Sequence, residues 1–329
     1  MEKKTIVSII INNYNYGRFI AQAIDSALQQ VYSFIEVIVV DDGSTDNSRE
    51  VIATYGNHIV AIFKKNEGQA SALNAGFAAS KGEIICFLDA DDVCFKHKIA
   101  EIVKIFTRDS SIGWCFHPLI LVDLNTKAIL GKTRVFPDWN PVKVADRYDL
   151  RREMKQGKLP IYLPPTSGMC LRRSILEEIL PMPITFMKTS ADRYLRSVAT
   201  WLSPGFVLTD PLGYQGIHGQ NAATKIENKR EKDGRGIIIA YLLRINFPKL
   251  KKFTNRMFAR SWSNYQNSPQ ILQYKTFIKN YFALTSLIEK SSIYLHIIYY
   301  SFPFRKIYTH QLLEANVTSF FFEEQELNR

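Results

Sequence analysis

Four runs dominated by branched apolar residues begin at positions 6, 35, 59 and 83 of the chain, covering residues 6–11, 35–40, 59–63 and 83–88. Each is strand-length, and each has too few polar positions to alternate, which is the pattern of a strand buried on both faces. The stretches between them are far longer than hairpin turns and carry helical signals. Phe19, Ile20, Ala23, Ile24, Ala27 and Leu28 recur at helical spacing within residues 17–30. Ser44 offers an N-cap for a helix running to residue 55, and the small residues of 68–80 suit a helix packed close to a sheet. Strands joined by helical crossovers run parallel, so the expected fold is α/β with a mostly parallel sheet. Residues 115–122 read as one further strand.

In open parallel sheets, ligands bind beyond the carboxyl ends of the strands. Asn12-Asn13-Tyr14, Asp41-Asp42-Gly43 and Asp89-Ala90-Asp91-Asp92 each follow directly from a strand end, so they are expected to converge on one crevice. Asp89 and Asp91 stand two positions apart with Asp92 next. Hard cations such as Mg²⁺ or Mn²⁺ take oxygen ligands, often one or two carboxylates completed by substrate phosphates. A cation held there would clamp a diphosphate. The alternative for any such triplet is a solvated acidic turn. At the other acidic end, a carboxylate can accept the imide N–H of a uracil or thymine ring. The alternative is that Ser44 and Asp46 merely cap a helix.

Apolar residues make up 46% of the 329 and charged residues 22%, which excludes a disordered chain. Cys86, Cys94, Cys115 and Cys170 show no paired-cysteine spacing, as expected of reduced, buried thiols in a cytosolic protein. Asn12, Asn13 and Asn15 cut the first apolar run too short for a secretory leader. No stretch approaches the ~18 apolar residues of a membrane span. The expected location is cytoplasmic, or peripheral on the cytoplasmic face of a membrane.

Beyond residue 125, a loop or short-helix excursion is expected over 131–165, strands over 166–171 and 205–208, and helices over 174–179 and 192–201. After Asn221 the texture turns basic and aromatic, with helices expected at 236–247, 270–290 and 293–300. The net charge of +11 is concentrated there: residues 225–310 hold 16 Lys/Arg against 4 Asp/Glu, a surplus of 12, leaving −1 elsewhere (11 − 12). The expected units are a near-neutral body over 1–224 and a basic helical region over 225–329.

The order of the motifs carries a resemblance. Ile9-Ile10-Ile11-Asn12-Asn13-Tyr14-Asn15 is followed by Val39-Val40-Asp41-Asp42-Gly43-Ser44. Next come Asn66-Glu67-Gly68-Gln69-Ala70-Ser71-Ala72-Leu73-Asn74 and Leu88-Asp89-Ala90-Asp91-Asp92. This resembles glycosyltransferase family 2 with the GT-A fold, closely over residues 5–125 and more loosely to 224, which implies a nucleotide-sugar-binding half over 1–125 and an acceptor half over 126–224. The resemblance implies inverting transfer from a nucleoside-diphosphate-sugar, UDP foremost, to a glycan or lipid-linked acceptor. It implies that Asn12 and Tyr14 border the nucleoside and that Asp42 or Asp41 reads the base. Asp89 and Ala90 would border the ribose or sugar, Gln69 and Asn74 the sugar-diphosphate, and Asp91 would be the principal metal ligand. Asp192, in Thr189-Ser190-Ala191-Asp192, matches the family's base, with Ala191 where many relatives carry Glu. Ser167 and Gly168 match the acceptor side. His218, in a Tyr214-x-x-x-His218 loop running to Gln220-Asn221, would ligate the metal or touch the diphosphate. The Gln-x-x-Arg-Trp signature of processive synthases is absent, which favours single addition.

In the C-terminal region, Lys249, Lys251, Lys252, Arg256 and Arg260 interleave with Leu250, Phe253, Met257, Phe258 and Trp262. Residues 293–304 repeat the aromatic texture before Arg305-Lys306. Such segments either bind anionic membrane surfaces or form a helical subdomain with a solvated basic face. No nucleic-acid motif accompanies the charge, so no nucleic-acid partner is expected. A sugar-1-phosphate nucleotidyltransferase would need an early Gly-Gly-x-Gly-x-Arg loop, and an NAD enzyme Gly-x-Gly-x-x-Gly after the first strand; neither is present. A degenerate scaffold would have lost acidic residues, yet Asp42, Asp89, Asp91 and Asp192 are all there.

Overall fold

A computed structural model of the protein describes residues 4–133, 146–158, 164–184, 190–219, 221, 226–265 and 274–301. The chain runs β1 (Val7–Asn13), α1 (Gly17–Leu28), β2 (Ile35–Asp41), α2 (Ser48–Ala53), β3 (Val60–Phe63), α3 (Gln69–Ala79) and β4 (Ile84–Asp89). It continues β5 (Val93–Cys94), α4 (Lys98–Arg108), β6 (Trp114–Phe116), β7 (Ile120–Asp123), β8 (Ile129–Lys132), β9 (Asp146–Tyr148) and α5 (Arg151–Lys155). Then follow β10 (Met169–Arg172), α6 (Arg173–Ile179), α7 (Ala191–Leu202), β11 (Gly205–Val207) and β12 (Gly213–Ile217). Helices α8 (Ile226–Asn246), α9 (Lys251–Tyr265), α10 (Lys275–Ala283) and α11 (Leu287–Ser301) complete the described chain.

The main sheet has the order β3-β2-β1-β4-β10-β6-β11-β9. Its first four strands are mutually parallel, as their helical crossovers require. Side chains alternate between two cores: Ile10, Ile38, Val40, Ile85 and Phe87 face one way, and Ile9, Ile11, Val37, Val39, Cys86 and Leu88 the other. That two-sided burial explains why these strands read as continuous apolar runs. The chain moves outward through β1, β2 and β3, then returns to lay β4 on the other side of β1. The β1/β4 boundary is therefore a topological switch point, where open sheets offer a crevice. All four cysteines are free and buried.

Several local expectations are corrected. The expected strand over 115–122 is two strands in different sheets, because His117-Pro118 interrupts it; β7 joins a second sheet of order β5-β12-β7-β8. Residues Thr166–Gly168 form a 3₁₀ turn, and the strand begins at Met169. Within 131–165, the short helix is α5, while β8 ends at Lys132 and β9 adds a strand to the expected excursion; residues 134–145 and 159–163 of it lie outside the described residues. Ser44 does not cap α2, which begins at Ser48 after Asn47. Its hydroxyl instead accepts the Asn15 N–H at 2.9 Å and the Asn13 Nδ2–H at 3.2 Å, tying the ends of β1 and β2 together. The helix expected over 270–290 breaks between α10 and α11, and its first residues lie outside the described ones. Ser286 and Glu289 exchange side-chain-to-backbone hydrogen bonds at the break, a capping box legible in Ser286-x-x-Glu289. Arg305 and Lys306 also lie outside the described residues.

Gly43, in the turn after β2, has φ +78°, and a Cβ there would lie 2.5 Å from the Asn66 backbone nitrogen. Gly43→Ala therefore combines a disfavoured backbone with a clash against another main chain. The expected loss is about 1–3 kcal/mol, read as a lower urea midpoint at unchanged slope.

Candidate active site

The crevice is built on one register pair. Asn12 on β1 lies directly beside Asp89 on β4, and its Nδ2 donates to Asp89 Oδ1 at 3.0 Å. Asp89 ends β4, and Asp91 and Asp92 follow in the turn. Burial and the nearby Asp91 charge push the Asp89 carboxyl up to about 7, with Asp192 adding a smaller contribution. Asp192 is thus near enough for its charge to be felt at Asp89.

Across the crevice stands the segment after β12. His218 Nε2 lies 3.1 Å from Asp91 Oδ2, and Asn221 Nδ2 donates to the same oxygen at 2.8 Å. Asn221 also accepts the His218 backbone N–H, holding the loop in register. The His218 ring sits against Tyr16 and Phe19, with centroids 5.4 and 4.7 Å away. Burial and the charges of Asp91, Asp89 and Asp92 push the Tyr16 phenol above its usual range, so it stays a neutral hydrogen-bonding group beside the acids.

Asp92 turns away from the crevice. Its Oδ2 accepts the Ser167 hydroxyl at 2.5 Å and its Oδ1 the Gly216 N–H at 3.0 Å. Burial, then repulsion from Asp91 and Asp89, raises its pKa. The Ser167 hydroxyl also accepts the Asp89 N–H at 2.9 Å, and its carbonyl accepts the buried Lys98 Nζ at 2.8 Å. Gly216 has no room for a side chain, because a Cβ would lie 2.3 Å from the Asp91 carbonyl oxygen. Ser167 and Gly168 are buried and shape the crevice from beneath.

Asp192 sits in the first turn of α7, where a carboxylate is favoured by the helix dipole. Arg196, one turn on, donates Nη1–H to Asp192 Oδ2 at 2.6 Å and also to the Pro164 carbonyl. Gln69, at the start of α3, accepts the Ala191 N–H and donates to the Thr166 hydroxyl, both at 3.2 Å. It bridges the donor strands to the helix carrying Asp192.

Other candidates sit elsewhere. Asp41 is buried against Asn13, the Ser44 N–H and Arg49. Asp42 accepts from Lys64, Glu67 N–H and Gly68 N–H at 2.7–3.2 Å. Tyr14 is exposed at the end of β1. Ala90 is buried in the core, so only its backbone is available to a ligand. The Asn74 amide is taken up by the Met182 N–H and carbonyl. Tyr16 and Asn221 are site residues that sequence reasoning misses. Asn221 ends the Tyr-x-x-x-His loop, and Tyr16 stands two positions past Tyr14 at a helix start, which are the available signals.

A parallel sheet with acids beyond its switch point and a histidine loop facing them is the architecture of GT-A transferases. The glycosyl transferase family 2 profile matches residues 8–180, and the chain belongs to that family. An uncharacterized glycosyltransferase of Nostoc sp. is 36% identical over 276 residues, covering 80% of this chain and 83% of that protein. Among solved structures, S. aureus TarS residues 1–349 with UDP has a TM-score of 0.61 at 18% identity, covering 90% of this chain and 89% of that one. A Pyrobaculum calidifontis mannosyltransferase with GDP-Man and Mn²⁺ has a TM-score of 0.51 at 17% identity, covering 94% and 84%. The likeness to these structures is one of fold. Among the described residues, no helix is long and apolar enough to cross a membrane.

Proposed function

We propose that this glycosyltransferase moves a sugar from a UDP-sugar to an acceptor hydroxyl with inversion, using a divalent cation, Mn²⁺ or Mg²⁺. The observation that carries the reading is the approach of His218 Nε2 to Asp91 Oδ2 at 3.1 Å, beside the Asn12–Asp89 pair at the switch point. Among the described residues no three His, Cys, Asp or Glu side chains form a metal cage. The donor set fits a cation held by one carboxylate and one imidazole and completed by the donor's diphosphate, as hard cations with phosphate substrates commonly are. Asp91 and His218 would hold it, and the cation would offset the charge developing on the departing diphosphate.

In this reading Asn12 and Asp89 receive the ribose and sugar, and Tyr14 flanks the base from the open rim. Asp41 and Asp42 shape the base pocket through the turn they brace, with Asp42 the nearer reader of a pyrimidine. Asp192 takes the proton from the acceptor hydroxyl as that oxygen attacks the anomeric carbon. Arg196 keeps Asp192 ionised and aimed, and Gln69 sets the helix start that carries it. Residues 1–224 form the catalytic body and 225–329 the basic C-terminal region, helical in its described part. The acceptor is a glycan or lipid-linked saccharide, met by an enzyme working peripherally on the cytoplasmic face of a membrane; the basic C-terminal region supports that placement.

Calorimetric titration of UDP, dTDP and GDP with and without Mn²⁺ tests the reading. Manganese-dependent binding of UDP supports it, and no nucleotide binding to folded protein overturns it. The pH dependence has a definite sign. Because Asp89's folded pKa of about 7 lies above the ordinary carboxylate value, the metal-free fold is favoured by its proton at low pH. That contribution is fully present below the unfolded value, near ~4, and is lost as pH rises through 7. Cation binding displaces this proton, so Mn²⁺ affinity is expected to fall by up to about tenfold per pH unit below 7. Titrations at two pH values on either side of 7 check it.

A further inference from the structure

Helix α11 is apolar on two faces, yet only one of them is covered. Ile293 and Ile297 are buried, and the inner side is fixed by Arg256 donating to His296 and by the Ser263–Ser301 hydroxyl pair. On the other side, Leu287, Leu295 and Ile298 fall on one arc of the helix and are 80%, 67% and 54% exposed. Ile288 beside them is 83% exposed, and Leu284, just before the helix, 44%. Ser291 completes the arc, so no charge interrupts it. The helix's acid, Glu289, is consumed by Arg244 at 2.9 Å. An apolar helix face is ordinarily covered.

The charge of the helices that carry this face identifies what covers it. Residues 244–290 contain nine Lys/Arg and one acid, Glu289. Lys249, Lys251, Lys252, Lys275 and Lys279 are exposed. A second copy paired across a twofold axis would bring the same cationic surface against itself. A surface that accepts aliphatic side chains and attracts cations together is an anionic lipid bilayer. We infer that the outer face of α11 is a monotopic membrane-docking surface, with Leu287, Leu295 and Ile298 entering the acyl boundary of an anionic leaflet and exposed lysines of the neighbouring helices drawing the region to its headgroups. This deepens the proposed peripheral placement by naming the surface, and its test is independent of the transferase reading.

The test is co-sedimentation of the full chain with vesicles of phosphatidylcholine and phosphatidylglycerol (roughly 3:1), against phosphatidylcholine alone. The double variant Leu295→Glu/Ile298→Glu and the single variant Leu295→Trp are compared with the natural chain. The natural chain is expected to bind the anionic vesicles and to release in about 0.5 M NaCl. The double variant is expected to lose about a hundredfold in partition, roughly tenfold per buried aliphatic side chain, with unchanged thermal unfolding and unchanged UDP binding. In the Leu295→Trp variant, the fluorescence of the introduced indole (the difference from the natural chain) is expected to shift blue only when anionic vesicles are added. Retained binding by the folded double variant overturns the inference, as does absence of binding by the natural chain. So does an introduced indole whose emission is already blue in buffer, which means the chain covers its own face, or a dimer that the double variant dissolves. Loss of UDP binding by the natural chain would count against the transferase reading alone.

Discussion

Asp192→Asn is expected to lower kcat by about 10²- to 10⁴-fold, the usual worth of a positioned general base, while UDP affinity changes less than about twofold. The separation follows from placement: Asp192 opens α7, whereas Asn12, Asp89, Asp91 and His218 line the strand ends. The amide keeps the shape and one acceptor for Arg196 but cannot take the acceptor's proton. Arg196→Met should give a smaller loss in kcat and move the acidic limb of the pH–rate profile upward, because the guanidinium 2.6 Å from the carboxylate favours its ionised form. A steady-state profile with both variants separates base from positioning group. If Asp192→Asn keeps more than a tenth of the natural kcat, the base lies elsewhere.

Asp91→Asn is the second large effect. It replaces a carboxylate with a neutral amide at the one position that faces both His218 and Asn221. Manganese-dependent UDP binding is expected to disappear in calorimetry, and kcat to fall by about 10³-fold or more, since metal stabilisation of a leaving group is worth several kcal/mol. The metal-free fold should not suffer, because removing one of three clustered acids relieves repulsion on Asp89 and Asp92. A thermal midpoint at or above that of the natural protein, together with lost metal response, is the diagnostic pair. Retained manganese dependence would move the ligand role away from Asp91.

The strands, the parallel order of the first four and the acidic strand ends were legible because each is a local pattern with one physical cause, burial on both faces of a sheet. The helix that opens at Ala191-Asp192 was legible too, while the base role of Asp192 comes from its place in an ordered set of motifs. What local pattern could not supply was long-range pairing. Asp92 read as one more acid in a cluster; its bonds to Ser167 and Gly216 span 75 and 124 positions. Ser44 looked like a cap because Ser before a helix usually is one, but a bond to Asn15 across the crevice rim won. The resemblance put Asn74 beside the sugar-diphosphate, and in the fold its amide bonds the Met182 main chain. The split of residues 115–122 was signalled by Pro118, which cannot donate to a ladder.

Strand β10 bears on how enzymes of this plan can diversify. It comes from the later half of the chain yet pairs with β4, next to the acids, and also with β6. Recombination that exchanged everything after residue 125 between two relatives would import a foreign strand into the middle of the sheet, and a foreign Ser167 and Gly216 onto the resident Asp92. New acceptor preferences are therefore more readily acquired by rewriting loops in place than by trading halves. The heritable unit is the whole interlaced body, and the C-terminal helices belong to it: Ile237, Phe253 and Phe258 share one hydrophobic core with Ile10 and Phe87 of the sheet.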